Sequence, residues 1–525
     1  MIIFRKILLL LTVLGISGGL LVGIARIQTN METIITEKKL MDTNMINDAS
    51  PLVAFTTIAL GSFRGLLVDY LWLRANRQQE EGQYFELRQL ASWITQLQPR
   101  FTGATSHLAW NMAYNISVTF SFPQDRWRWV KNGLELIRDE ALIYNPSDPK
   151  LYKELGWIYQ HKIGNIMDDA NYFYKIQVAR EMQTVTGSSN PNFADLALIP
   201  LVLEEFETHF IDGESLKSLL RIAGYDDFAV FEKKFRMSLF SQEELTDILG
   251  DGKKNIEQFL RVRWMHDVLK MDPKVINDIN LKFGKLDWRL PESHAIYWAW
   301  QGLMHSRGGR NIDCERMITQ CLAVAFSAGR MISMDQEGEA LPVVLTLPNL
   351  AVADSVKREF ERAYAMTKIS TFLTARENFM LSAITQFYVF GRYSKAQEYL
   401  DILRKEFPHK KKYKLKMDNF AKIEWVNMVQ NATPKEASSL IAGQIYQSCM
   451  LLAFGENDGA ASFEKMAQFI HTYYSRQQQS SAGRMGLLNY GQLKTNIVKN
   501  CLKVFPKDLS ENLRFAIESM PGSVQ

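Results

Sequence analysis

Cysteine is scarce: the chain has four in 525 residues and no CxxC pair, so neither a disulfide-stapled scaffold nor a cysteine-based zinc module fits it. Proline, at 15, and glycine, at 30, fall well short of a collagen-like or low-complexity composition. Charge of one sign is missing too, because 61 Lys and Arg face 57 Asp and Glu; the net of +4 is too small for a nucleic-acid-binding chain of this length. The signatures HExxH and GxxxxGK[ST] do not occur. GxSxG occurs once, from Gly15 to Gly19, but inside an apolar run rather than on a strand-to-helix turn. Phe454 to Lys465 puts Asp458 and Gly459 at the fifth and sixth places of a calcium loop, yet Phe at the first place and Lys at the twelfth remove the oxygen ligands. No catalytic, cofactor-binding or metal residue is expected from motifs.

What the chain does have is apolar residues, 47% of the total, and the first concentration is N-terminal. Ile7 to Ala25 carries no charge, and as a helix it spans about 28 Å, the thickness of a bilayer core. We expect a signal-anchor helix over 7–25 within residues 1–26; a secretory signal cleaved near Gly23-Ile24-Ala25 is the alternative. Arg5 and Lys6 form a short basic start, which places the bulk of the chain outside a bacterial cytoplasmic membrane, in a periplasm-like space, as a single-pass protein. Gly15, Gly19 and Gly23 recur every fourth residue, a stripe that would let two such helices approach as a homodimer. The polar stretch 27–50 is expected to be a stalk. Leu52 to Leu73 is apolar but contains Arg64 and Asp69, so it reads as a buried or interfacial helix rather than a second span.

From about residue 52 onward, apolar residues recur at three- and four-residue intervals and strand-like alternation is nearly absent, so the expected class is all-α. Gly82 precedes Pro99 by 17 residues, and Gly391 precedes Pro408 by 17. After Pro146, Tyr152, Leu155, Gly156 and Tyr159 follow in helical register. Gly308 follows Pro291 by 17, while Gly455, Ala460 and Ala467 precede Pro506. In this pattern the chain resembles the tetratricopeptide repeat, a 34-residue helix-turn-helix unit with small residues at positions 8, 20 and 27. The spacing departs in places: Pro99 and Pro146 are 47 apart, with the extra residues near Ser117 to Asp125, and Gly164 falls one place late. The resemblance implies an irregular α-solenoid after the anchor, with an N-terminal array over 51–187, a helical insert over 188–290, a degenerate repeat region over 291–376 and a C-terminal array over 377–525. It also implies a concave groove lined by first helices, which in this chain would present Asn76, Gln79, Trp110, Tyr114, Lys153, Trp157, Gln160 and His161 to a partner peptide or helix. The expected function is a membrane-anchored scaffold or assembly factor that binds other proteins without catalysis or cofactor.

Two alternatives rest on local chemistry. Asp287, Arg289, Glu292, His294 and Tyr297 lie within eleven residues, and an acid/base site from Asp287 to His294 would need a carboxylate beside His294. The structural alternative is a helix begun by Pro291 whose Tyr297, Trp298 and Trp300 pack a core. This block also resembles one that recurs in membrane-anchored bacterial repeat proteins. The second alternative is contact with an anionic lipid surface through Arg404, Lys405, Lys410, Lys411, Lys412, Lys414 and Lys416. Cys314 and Cys321 would lie about 10 Å apart on one helix face, too far for a disulfide, so they and Cys501 are expected to be small packing residues and Cys449 a buried free thiol.

Overall fold

A computed structural model describes residues 63–210, 216–250, 253–306, 311–334, 343–477 and 488–519, with scattered helical positions between Gly15 and Ile34. Among the described residues no helix is long and apolar enough to cross a membrane. This corrects the expected N-terminal transmembrane helix and the single-pass location in a bacterial cytoplasmic membrane. Much of the 7–25 run lies outside the described residues, and the helical positions do not stop at its end. Thr29 and Thr33 continue helically, each hydroxyl donating four residues back, to Ala25 O at 2.9 Å and Thr29 O at 2.7 Å. The described helical positions thus extend from the apolar run into part of the stretch read as a stalk. Gly15 and Gly19 are exposed and Gly23 half-buried, with nothing within 4 Å of an added Cβ at any of the three.

The chain separates into two compact units, 1–100 and 101–525. From residue 63 the first unit is a hairpin of α1 (Phe63–Glu80) and α2 (Tyr84–Leu97). Gly82 turns it with φ +72°, a conformation that costs an L side chain about 1–2 kcal/mol and glycine almost nothing. Val68, Leu71 and Ala75 are buried, while Phe63, Leu66, Tyr70 and Leu73 remain exposed, so the end of the Leu52 to Leu73 stretch is buried on only one side.

The second unit begins with α3 (Thr102–Asn111), α4 (Pro123–Glu135), α5 (Pro149–Trp157) and α6 (Asn171–Thr186). The first three pass directly into π-helical turns, Met112–Ile116, Leu136–Ala141 and Ile158–Ile163. The insert supplies α7 (Phe193–Leu196), α8 (Leu203–Phe210), α9 (Leu216–Ile222), α10 (Phe228–Arg236), α11 (Gln242–Leu249), α12 (Lys253–Trp264) and α13 (Pro273–Phe283), with a further π turn at Met265–Leu269. Its centre is aromatic, with Phe206 and Phe259 stacked at 4.2 Å. The turn signal Ile211 to Gly213 lies outside the described residues.

Next come α14 (Pro291–Met304), α15 (Ile312–Ala328), a two-stranded antiparallel hairpin of β1 (Arg330–Met334) and β2 (Val343–Leu347), and α16 (Ala353–Thr367). In the hairpin Arg330 pairs with Leu347 and Met334 with Val343. This is a small departure from an all-helical reading. The chain closes with α17 (Thr371–Val389), α18 (Tyr393–Glu406), α19 (Met417–Asn431), α20 (Pro434–Ala453), α21 (Asn457–Gln477), α22 (Tyr490–Val504) and α23 (Lys507–Glu518). Helix starts repeat one device: Asp148-Pro149, Asp272-Pro273 and Thr433-Pro434 each put a capping oxygen before a proline whose missing N–H costs the first turn nothing.

Helix pairing follows two patterns. The pairs α17–α18 and α20–α21 are tight local hairpins turned by Gly391 (φ +71°) and Gly455 (φ +81°). Ala460 and Ala467 are buried in the second of these, where the Ser448 hydroxyl donates to Ala460 O at 2.9 Å. The Asp458 segment is therefore the start of a helix rather than an ion-binding loop. Helix α5 behaves differently, packing antiparallel on α14, far along the chain. A Cβ on Gly156 would meet Met317 Sδ at 2.5 Å and Ala295 O at 3.3 Å. One on Gly302 would meet Cys314 Sγ at 2.8 Å and Tyr152 Cβ at 3.2 Å. Here the missing side chain permits close approach rather than a turn.

Candidate functional site

The two π turns at the ends of α3 and α5 bring the candidate groove residues of the second unit together. Trp110 and Tyr114 stand four residues apart, as do Trp157 and His161, and in each pair the first residue lies in the last turn of an α-helix and the second in the π turn that follows. Trp110 stacks on Tyr114 at 5.5 Å, Tyr114 meets His161 at 5.7 Å, and His161 stacks on Trp157 at 4.6 Å. Lys153 lies over the Trp157 ring at 5.3 Å, which ends the ladder with a cation. Trp110 is 39% exposed, and Tyr114, Trp157 and His161 are half-buried. Gln160 sits beside the ladder and donates from Nε2 to Gln320 Oε1 at 3.0 Å. Asn76 and Gln79, both half-buried, stand on α1 of the first unit.

The ladder is fixed by a hydrogen bond and by an ionic network. Tyr114 OH and His161 Nδ1 are 3.2 Å apart. Burial, then the neighbouring Lys162 ammonium, lowers the His161 pKa, which favours the neutral ring. Burial, then Glu154, pushes the Tyr114 phenol up, so it stays protonated. Beneath them the buried Asp168 carboxylate accepts from Lys162 at 2.5 Å, Arg126 at 3.0 Å, Tyr174 OH at 3.1 Å and the Ala170 N–H at 2.8 Å. Burial alone would raise this carboxyl; the donors, Lys162 first, outweigh it and hold it below the usual range. The same burial costs the Lys162 ammonium more than the pairing returns, and its pKa is lowered. Lys162 reaches back over the Tyr114 ring at 5.4 Å, linking the network to the ladder.

Sequence reasoning named the ladder residues but neither the π turns nor the Asp168 network. A usable signal was present: Trp110 and Tyr114 recur as Trp157 and His161 after 47 residues, the same interval that separates Pro99 from Pro146.

The block from Asp287 to Tyr297 is dispersed among structural tasks. Asp287 accepts from Arg289 at 2.9 Å and 2.6 Å and from the Met331 N–H at 2.8 Å, anchoring the β-hairpin. Glu292 pairs with Lys435 of α20. Nearby, burial and then Lys435 push the Lys175 ammonium down to about 7. Tyr297 OH accepts from the Asp272 N–H at 2.8 Å. His294 is 3% exposed, stacks on Tyr159 at 4.9 Å and bonds through Nε2 to Trp288 O at 2.9 Å. Burial lowers its pKa to about 4. Among the described residues no carboxylate is its hydrogen-bond partner.

In the basic segment, three of the seven cations are engaged, Arg404 with the turn's own carbonyls and Lys410 and Lys412 with carboxylates of the neighbouring helices α17 and α19. Arg404 donates to Tyr413 O and Leu415 O, both at 2.7 Å, Lys410 pairs with Glu377 at 2.5 Å, and Lys412 lies 3.4 Å from Glu424. Lys405, Lys411, Lys414 and Lys416 are exposed and have no ion-pair partner among the described residues. All four cysteines are free and buried, and burial raises the Cys314 thiol to about 12. Among the described residues no group of three or more His, Cys, Asp or Glu could hold a metal ion.

Comparison with known proteins adds no constraint: no family model, no curated protein and no solved structure matches the chain.

Proposed function

We propose that this protein is a tetratricopeptide-like helical-repeat scaffold that binds a segment of another protein against the Trp110–Tyr114–His161–Trp157 ladder. The observation that carries this reading is the ladder itself: four rings in continuous contact, half-exposed, carried by two junctions of an α-helix with a π turn and linked to a buried ionic network. Monomeric surfaces rarely maintain such a stack facing water, and π turns concentrate at functional sites. Aromatic rings supply large contact area at low entropic cost, and half-exposed indoles beside a neutral His161 suit a peptide with an apolar anchor. Selection of 12-residue peptides from a random display library tests this. Selected peptides should bind the wild type and lose at least about tenfold in affinity for the Trp110→Ala/Trp157→Ala double variant. Equal binding to both proteins would contradict the reading.

A second, weaker reading is contact with an anionic surface through Lys405, Lys411, Lys414 and Lys416, supported by their exposure without partners. Flotation with anionic vesicles tests it, with binding expected at low salt and lost at high salt.

A further inference from the structure

A second concave site lies apart from the ladder, between α4, α6 and α12. It is a cleft of about 270 Å³ walled by Trp127 of α4 and Trp264 of α12. Helix α6 forms its floor, with Gln177, Arg180, Glu181 and Thr184 at i, i+3, i+4 and i+7, one face of a helix. The walls are themselves braced: Trp127 packs on Tyr174 at 5.8 Å and Trp264 edge-on to Phe235 at 6.1 Å. Two indole walls favour a flat ring between or against them.

The polar groups are unbalanced toward donors. Lys131 pairs with Glu181 at 3.2 Å, which occupies the only carboxylate of the lining. Among the described residues the Arg180 guanidinium, the Gln177 amide, the Thr184 hydroxyl and both indole N–H groups have no hydrogen-bond partner. A cleft with aromatic walls, an uncommitted guanidinium and surplus donors calls for a planar ligand that brings acceptors and negative charge. A guanidinium fork matches a carboxylate bidentately, and the volume suits one or two rings rather than a nucleotide.

We propose that this cleft binds a small aromatic carboxylate, its ring against Trp127 and Trp264 and its carboxylate on Arg180. The ligand site is distinct from the ladder, so the two proposals stand or fall separately.

The test uses the full chain in calorimetric titration with indole-3-acetate and with its uncharged counterpart indole-3-acetamide. The wild type should bind the acetate saturably, at least about tenfold tighter than the amide. Arg180→Ala should erase that preference, and Trp127→Phe should weaken both ligands. Arg180 is exposed, so its variant is expected to fold normally, and circular dichroism checks this. No saturable binding of the acetate to the wild type, or an acetate preference that survives Arg180→Ala, would overturn the proposal.

Discussion

In the hairpins α1–α2, α17–α18 and α20–α21 each helix packs on its neighbour in sequence across a glycine with positive φ, whereas α5 finds its main partner in α14, far along the chain. Glycine does different work in the two regions. At Gly82, Gly391 and Gly455 it provides a backbone conformation, and nothing lies within 4 Å of an added Cβ. At Gly156 and Gly302 it provides space, and Gly164, at the end of the π turn after α5, has an ordinary φ of −72°. Local hairpins can form from short sequence separations, while the α5–α14 seam needs long loop closure before any contact repays it. The aromatic ladder stands on the region of long-range pairing.

Substitutions that separate these regions can be ranked. The largest effect is expected from Asp168→Ala, which leaves the buried Lys162 without its carboxylate and should cost about 3–5 kcal/mol in urea unfolding. Gly302→Val comes next, because its new carbons would enter the space of Cys314 Sγ and Tyr152 Cβ; about 2–3 kcal/mol is expected, with altered fluorescence from the nearby Trp298. The third effect is on pH dependence. With a folded pKa of about 4 against an ordinary 6.5, His294 stays neutral while the unfolded chain takes up a proton, so stability should fall as pH drops from 6.5 toward 4. Between pH 6.5 and 5 the loss from this residue is about 2 kcal/mol, and the His294→Phe variant should show a correspondingly flatter profile. Smallest is Gly391→Ala, a strained φ with open space, expected to cost about 1 kcal/mol and to leave peptide binding at the ladder unchanged. If Gly391→Ala proved more damaging than Gly302→Val, the division between turn glycines and contact glycines would fail.

The same division accounts for what the sequence made legible. The helix start at Pro291 and the turns at Gly82, Gly391 and Gly455 depend on neighbours within a few residues and could be read directly. The burial of Cys314, Cys321 and Cys501 followed from their spacing among small packing positions. The partner of Gly156 could not be read, because a repeat register assigns it to its own second helix, whereas close packing gives it to Ala295 and Met317. Nor does local pattern reveal that Asp287, Glu292 and His294, adjacent in sequence, face three different partners. The N-terminal apolar run shows a further limit: uncharged length suggested a spanning helix, but no described helix meets that requirement. Of the site, the ring residues were legible through register; the π turns that present them and the Asp168 network that holds them came from tertiary packing.

The claim on which the functional account rests is that two aromatic pairs, each spanning the junction of an α-helix with a π turn, act as one recognition surface. A double-mutant cycle on the affinity of one selected peptide tests it, using wild type, Trp110→Ala, Trp157→Ala and the double variant at matched stability. The account predicts that each single substitution weakens binding at least about tenfold and that the two are coupled by about 1 kcal/mol or more through the intervening Tyr114 and His161. Small, strictly additive losses would contradict it.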